Sequence, residues 1–391
     1  MSAGAVTFAH AAAAVPLVIW LYLLLARGGF WRLSGAQPDS ADEAPAATHS
    51  LRVIAVVPAR NEAAAVGKAV SSLLAQRLSM PLRLIVVDDG STDGTAEEAR
   101  RAAEAAAAGE RLTVLPGAPL APGWTGKLWA MSQGIARAAE QRPDFLLLTD
   151  ADIEYGPEEI AQLIRIAAAD HLDLVSLMVR LSTTSLAERC LIPAFVFFFL
   201  KLYPPAWIAS PRSSVAGAAG GCMLLRPAAL ARAGGLEAIR GCIIDDCALA
   251  RAVKSSGGRI RLGLTRTTRS LRVYGSLAEI GAMISRTAFS QLRHSYTLLA
   301  MTLLGLLATY LAPPLLLLTG VPVMMSLGAA AWALMSVCYQ PMLRFYRLSP
   351  GYALLLPVVA LFYAGATVHS AVQYTAGRGG RWKGRAQDVA R

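Results

Sequence analysis

Phe145-Leu-Leu-Leu-Thr-Asp-Ala-Asp152 carries four apolar residues straight into a threonine and two carboxylates. Following Pro143, an apolar run of this length reads as a strand buried on both faces of a largely parallel sheet. Side chains two apart on an extended chain point the same way, so Asp150 and Asp152 converge at the strand's end. Open α/β sheets bind ligands just beyond the carboxyl ends of their strands. Paired hard oxygens there suit Mg²⁺ or Mn²⁺, and such an ion suits a diphosphate. An isolated Asp-x-Asp reads more readily as a solvated turn. The stretches around it tip the balance.

Upstream, Arg52–Pro58 and Leu82–Asp88 read as strands, each followed by a polar loop and a helix, to about Ala75 and Ala108. Leu112–Leu115 is a short third strand, and a helix from about Lys127 to Gln141 precedes the quoted stretch. This alternation argues an α/β fold with a parallel sheet and crossover helices. Pro58, Asp88/Asp89 and Asp150/Asp152 then all stand at C-terminal strand ends. Asp89-Gly-Ser-Thr-Asp-Gly-Thr95 has the chemistry of a turn leading into a helix, with Thr95 as the expected cap. A strand-end carboxylate can equally accept hydrogen bonds from a nucleotide. No P-loop pattern occurs in the chain.

Downstream, Val215–Arg226 is a glycine-rich loop running into a strand, and glycines such as Gly220 and Gly221 let backbone approach a ligand closely. Asp245 and Asp246 open an amphipathic helix, where acids are favoured by the dipole whether or not they do chemistry.

The chain has 391 residues, 55% hydrophobic and only 16% charged, which is apolar for a soluble protein. The excess lies towards the ends. Ala5–Ala26 is long enough to cross a bilayer, and so are Tyr296–Leu318, Val321–Tyr339 and Tyr352–Tyr374. No Lys or Arg precedes the first run, while Arg27 and Arg32 follow it, so the next domain is expected on the cytoplasmic side. The organisation expected is a transmembrane anchor over 1–27, a linker over 28–50, and a catalytic domain over 51–275. An interfacial helix over 276–295, a transmembrane region over 296–375 and a basic tail over 376–391 follow. Three C-terminal crossings would leave that tail outside, yet it holds Arg378, Arg381, Lys383, Arg385 and Arg391 against Asp388. Either one segment does not cross, with Pro313-Pro314 marking the first as suspect, or the tail breaks the positive-inside rule.

The net charge of +11 has no stripe of basic and aromatic residues to engage nucleic acid. Its placement beside apolar segments suits lipid headgroups. Five scattered cysteines without C-x-x-C pairing fit a reducing compartment and no structural zinc. The run Cys190–Ile208 is broken by Pro193 and Pro204-Pro205. A lone crossing there would put Asp150 and Asp246 on opposite faces of the membrane. It reads as an interfacial or re-entrant helix lining a lipid path, or as buried core.

Val56-Val-Pro-Ala-Arg-Asn-Glu62, Val87-Asp-Asp-Gly-Ser-Thr-Asp93 and Thr149-Asp-Ala-Asp152, in that order, resemble a family 2 glycosyltransferase with the GT-A fold. Gly123-Trp-Thr-Gly-Lys-Leu-Trp-Ala130 is similar to the hopene-associated branch, itself similar to ceramide glucosyltransferases. The resemblance covers about Arg52–Tyr296. It implies a GT-A, Rossmann-like, mostly parallel catalytic domain on N- and C-terminal transmembrane helices in the cytoplasmic membrane. The activity implied is inverting transfer from a nucleotide-sugar, a UDP-sugar foremost, to a lipid acceptor, with Mg²⁺ or Mn²⁺. It places Asp89 on the nucleotide, with Pro58, Arg60 and Glu62 in the first nucleotide loop. Asp150 and Asp152 fall on the metal and diphosphate, and Asp246 on the general base with Asp245 supporting it. Lys127 is either a diphosphate ligand or a surface lysine at a helix start. The relatives' [Q/R]-x-x-R-W motif falls at Ser290-Gln-Leu-Arg293-His294 in altered form, and a strict match, Arg378-Gly-Gly-Arg381-Trp382, lies in the tail. Gly220, Gly221, Arg293 and His294 are thus expected near acceptor or diphosphate. Polyprenyl-phosphate or polysaccharide transfer is the alternative within the class. A catalytically silent nucleotide-binding subunit is the alternative outside it.

Overall fold

The computed structural model describes residues 3–33, 51–382 and 385–386; most of the expected linker and part of the tail lie outside them. The first helix, α1 (Ala3–Leu25), is apolar on all sides, as a lipid-facing helix must be.

The catalytic domain begins with β1 (Val53–Ala59), α2 (Ala63–Leu74), β2 (Arg83–Asp88), α3 (Thr95–Ala105), β3 (Leu112–Pro116) and α4 (Gly126–Ala139). The quoted stretch supplies β4 (Phe145–Leu148), and β5 (Ile153–Glu154), α5 (Glu159–Ala169) and β6 (Leu174–Arg180) follow. Every residue of β1 and β4 is buried. Alternate side chains of β1 feed two cores: Ile54 and Val56 meet α4, while Val53, Ala55 and Val57 meet α2 and α3. That explains apolar runs without alternation. Helix α4 lies so close to β1 that a Cβ on Gly134 would collide with Val56.

Next come α6 (Leu186–Leu202), α7 (Pro205–Ala209), β7 (Met223–Leu225), α8 (Pro227–Arg232), α9 (Asp245–Ser255) and β8 (Ile260–Ser270). The sheet order is β3-β2-β1-β4-β7-β6-β8-β5. The β1–β2, β1–β4, β2–β3 and β6–β8 pairs are parallel, and β7 runs antiparallel between β4 and β6. The sheet is mixed and mostly parallel, as expected. Two short strands make it mixed: β7, which the glycine-rich loop feeds in the reverse sense, and β5, antiparallel to β8 at the edge.

After the domain, α10 (Leu277–Ser285) and α11 (Ala288–Gln291) lead into α12 (Tyr296–Leu306). A π-turn over Leu307–Leu311, α13 (Ala312–Leu316), α14 (Pro322–Tyr346), a 3₁₀ segment Pro350–Leu355 and α15 (Leu356–Thr375) complete the chain to a small ribbon, β9 (Arg381–Trp382) and β10 (Arg385–Ala386). Five helical stretches among the described residues are long and apolar enough to cross a membrane: Thr7–Leu25, Leu186–Ala209, Tyr296–Leu316, Pro322–Tyr346 and Pro350–Thr375. Trp20 of α1 donates to the Thr309 carbonyl at 2.8 Å, using an acceptor of the π-turn. The α4 side of the sheet shares one continuous core with Trp20, Phe30, Phe197 and Tyr339. The catalytic domain is therefore built onto the apolar helices through one face.

Helix α6 shows how. Ser185 caps it and Glu188 closes the capping box. The buried Glu188 carboxylate also accepts from the Thr184 and Tyr274 amides and the Ser182 hydroxyl. Phe197 and Phe198 pack edge-on against Tyr339 and Tyr363, while Phe195 and Phe199 turn towards the domain's main cavity.

Candidate active site

The loops after β1 and β2 interlock. Arg60 donates to the Asp89 carbonyl and pairs with its carboxylate at 3.6 Å, and Asp89 is buried. The Thr95 hydroxyl accepts from the Glu62 amide at 2.9 Å and donates to Asp93 at 2.5 Å. The expected cap is thus corrected: Gly94, at φ +86°, is the N-cap of α3. Thr95 instead staples two loops together, and only a residue allowed a left-handed backbone fits the position before it.

At the end of β4, the Thr149 hydroxyl donates to the Gly221 carbonyl at 2.8 Å, and Tyr155 donates to the same oxygen at 3.1 Å. These two residues, which motif reading missed, anchor the glycine-rich turn. Hydroxyl side chains just past the ends of β4 and β5, flanking the carboxylates, were the available signal. The anchored turn aims the Gly220 amide at Asp246 Oδ2, 2.9 Å away, while the Cys247 amide donates to Asp246 Oδ1 at 2.7 Å. A side chain on Gly220 would meet Lys127 Nζ and Asp246.

Lys127 stands between the two acidic groups. Its Nζ lies 2.8 Å from Asp150 Oδ1 and 3.1 Å from Asp245 Oδ2. Its side chain is largely covered, 18% exposed, and points into the acidic cluster rather than out to solvent. Burial alone would lower the ammonium's pKa, but Asp150, Asp245 and Asp246 outweigh it and hold the group charged well above its usual range. Burial, then Asp245, pushes the Asp246 carboxyl up to about 6 against the pull of Lys127. Burial, then Asp150 and Glu62, raises Asp152 likewise.

One cavity of about 630 Å³ collects Pro58, Arg60, Glu62, Lys127, Asp150, Asp152, Gly220, Gly221, Asp245 and Asp246. Asp89 lies beneath Arg60 rather than in the lining. Beyond the carboxylates the wall turns apolar through Met178, Leu181, Phe195, Phe199 and Met283. Arg272 and Tyr274, from the loop after β8, and Arg286, Gln373 and Arg378 also line it; of these only Arg378 stood out in the sequence, as the first residue of the Arg378–Trp382 motif in the tail. Arg293 and His294 do not line it. Both take left-handed backbone angles in the turn before α12, where His294 stacks on Tyr374 at 4.0 Å.

Asp150 and Asp152 fit a divalent ion that shares its remaining ligands with water and a phosphate. Among the described residues no third His, Cys, Asp or Glu completes a protein-only cage. The arrangement therefore suits an ion brought in with a diphosphate.

Residues 54–233 match the family model described as Glycosyl transferase family 2. The match takes in just under half of the chain, from β1 to α8. A 4,4'-diaponeurosporenoate glycosyltransferase from Staphylococcus aureus (strain bovine RF122 / ET3-1) is 36% identical over 101 residues, 26% of this chain and 24% of that protein. The match thus spans about a quarter of that relative's length. A mannosyltransferase from Pyrobaculum calidifontis, solved in complex with GDP-Man and Mn²⁺, superposes over 94% of this chain and 97% of its own, with TM-score 0.54 and 20% identity. That likeness establishes the GT-A fold, helices included. A more remote superposition, TM-score 0.39 and 23% identity over 63% of this chain and 81% of its own, is with glucosyl-3-phosphoglycerate synthase from Mycobacterium tuberculosis.

Proposed function

We propose that this protein is a membrane-bound, inverting glycosyltransferase that moves a sugar, a hexose foremost, from a nucleotide-sugar to a lipid acceptor. The observation that carries the reading is the single cavity. It holds a pair of carboxylates fit for a diphosphate-bound cation at one end and a buried base at the other. Its wall continues as apolar side chains towards helices fit for a bilayer.

In this reading Arg60 and Asp89 shape the nucleotide end, with Pro58 and Glu62 beside them. Asp150 and Asp152 would hold Mg²⁺ or Mn²⁺, which when bound neutralises charge on the departing diphosphate. Lys127 keeps Asp150 and Asp245 oriented and adds positive charge next to the leaving group. Asp246 takes the proton of the acceptor hydroxyl as its oxygen attacks the anomeric carbon from the face opposite the leaving group. A carboxyl raised towards neutrality is a better base than an ordinary aspartate, and the Gly220 amide fixes its orientation. The configuration at the anomeric carbon inverts, with no covalent enzyme intermediate.

A UDP-sugar donor, a polycyclic hopanoid-type acceptor and a catalytic domain facing the cytoplasm belong to this proposal. The Gly123–Ala130 motif supports the acceptor, and Arg27 and Arg32 support the orientation. The curated relative's name, that of a transferase acting on an apolar carotenoid acid, favours a lipid acceptor over a polysaccharide. The test is transfer from radiolabelled nucleotide-sugars into lipid extract, with Mn²⁺ or Mg²⁺ and with EDTA. Labelled lipid that disappears with EDTA is the expected result. Label in a water-soluble polymer, or none from any donor where a control enzyme works, contradicts the reading.

A further inference from the structure

The segment Pro350–Thr375 has the composition of a crossing helix, and its length corresponds to about 39 Å at 1.5 Å per residue. A crossing helix of that length carries one end to the far side of the bilayer. Here the start lies beside the sheet, and the end packs on α10 and α11 at the mouth of the cavity. At the start, Pro350 accepts from Gln340 near the end of α14, and that end is fixed to the sheet by Arg266 of β8, whose guanidinium lies over the Phe345 ring at 5.3 Å. In the middle, the Tyr363 hydroxyl donates to the Leu191 carbonyl of α6 at 3.0 Å. Near the end, Ser370 accepts from the Phe289 amide at 3.0 Å and donates to the Ser285 carbonyl. Beyond it, Arg378 lines the same cavity as Asp150 and Asp246.

The two faces of the segment differ accordingly. Leu356, Val359, Ala360, Tyr363, Ala366 and Ser370 are buried against the domain and its neighbouring helices, whereas Leu354, Val358, Leu361, Val368 and Val372 are exposed. Both faces are apolar, so composition does not separate a crossing helix from one lying along the membrane; the placement of the two ends beside the α/β domain and its cavity does.

We infer that Pro350–Thr375 does not cross the membrane but lies on it as a roof over the catalytic cavity, so that the basic tail stands on the catalytic side and Arg378 serves the site as an anion-binding residue. The chain then crosses with α1, with α12 through α13, and with α14. Arg378, Arg381 and Arg385 fall on the same side as Arg27, Arg32, Arg344 and Arg347, which removes the conflict with the positive-inside rule. The partner of Arg378 is a phosphate or carboxylate, either the donor's diphosphate or an acidic group of the acceptor. This second part rests on the proposed transferase reading; the placement of the helix does not.

Two measurements on the full chain test it. Ala376→Cys and Arg101→Cys, both exposed positions, are labelled with a membrane-impermeant maleimide in right-side-out and inside-out vesicles, with the parent protein as blank. The expected result is labelling of both from the same face. Labelling from opposite faces overturns the inference, whatever the enzyme's activity. For Arg378→Gln, loss of a charge-assisted hydrogen bond weakens the interaction about tenfold or more. Weaker UDP or GDP binding in Mn²⁺ assigns Arg378 to the donor. Unchanged nucleotide binding with a higher KM for acceptor lipid assigns it to the acceptor. No change in either removes Arg378 from the site.

Discussion

Lys127 sets the charge balance of the site, because its one ammonium faces Asp150 and Asp245 and acts on Asp246. Burial and Asp245 disfavour the ionised form of Asp246, and Lys127 favours it. A base must be ionised to work, so transfer is expected to fall as pH drops through about 6, approaching tenfold per unit below it. Lys127→Ala leaves only the Cys247 and Gly220 amides to hold the Asp246 pKa down, so the acid limb of kcat/KM should move to higher pH. A limb that stays in place, or moves to lower pH, contradicts this arrangement. Asp246, Asp245, Asp150 and Asp152 were legible as residues, since strand ends and helix starts announce carboxylates. Their mutual geometry was not: nothing in the spacing of Thr149, Tyr155 and Gly220 reveals that the first two hold the turn whose amide orients the base.

At the scale of elements, the β-α units up to β4 could be read almost to their ends. Their strands are buried on both faces and their loops are dense in Gly, Pro and Asp. Polar loops gave less: Thr95, read as a cap, holds the β1–α2 loop because Gly94 takes the left-handed backbone. Apolar stretches gave least, because hydrophobicity does not distinguish lipid from protein as the neighbour. Cys190–Ile208 and Tyr352–Tyr374 have similar compositions to the other apolar runs, yet α6 enters the core shared with the sheet and α15 packs mainly on α10 and α11. Glu188 fastens α6 at its start. Glu188→Ala strips an acceptor from the Thr184 and Tyr274 amides and should cost about 3 kcal/mol, read as a lower melting temperature in detergent by several degrees. An unchanged melting temperature would show that the capping network does not hold α6. Gly134→Leu drives a side chain from α4 into Val56 on β1 and should destabilise by at least about 1–3 kcal/mol, with soluble yield as the readout.

At the scale of the molecule, the catalytic domain and the apolar helices share a core. Residues 51–275 expressed alone would expose the faces of α6 that Tyr339 and Tyr363 cover, and are expected to aggregate without detergent. A monodisperse peak in size-exclusion chromatography would contradict that. The shared core also joins the cavity's carboxylate edge to its apolar wall, which the proposed transfer from nucleotide-sugar to lipid requires. The central claim is that this cavity transfers sugar with Asp246 as base. The most direct measurement compares wild type and Asp246→Asn for sugar transfer and for UDP or GDP binding in the same membranes. Transfer should fall by about 10²–10⁴-fold while nucleotide affinity stays within a few-fold. Transfer at the wild-type rate in Asp246→Asn would contradict the account.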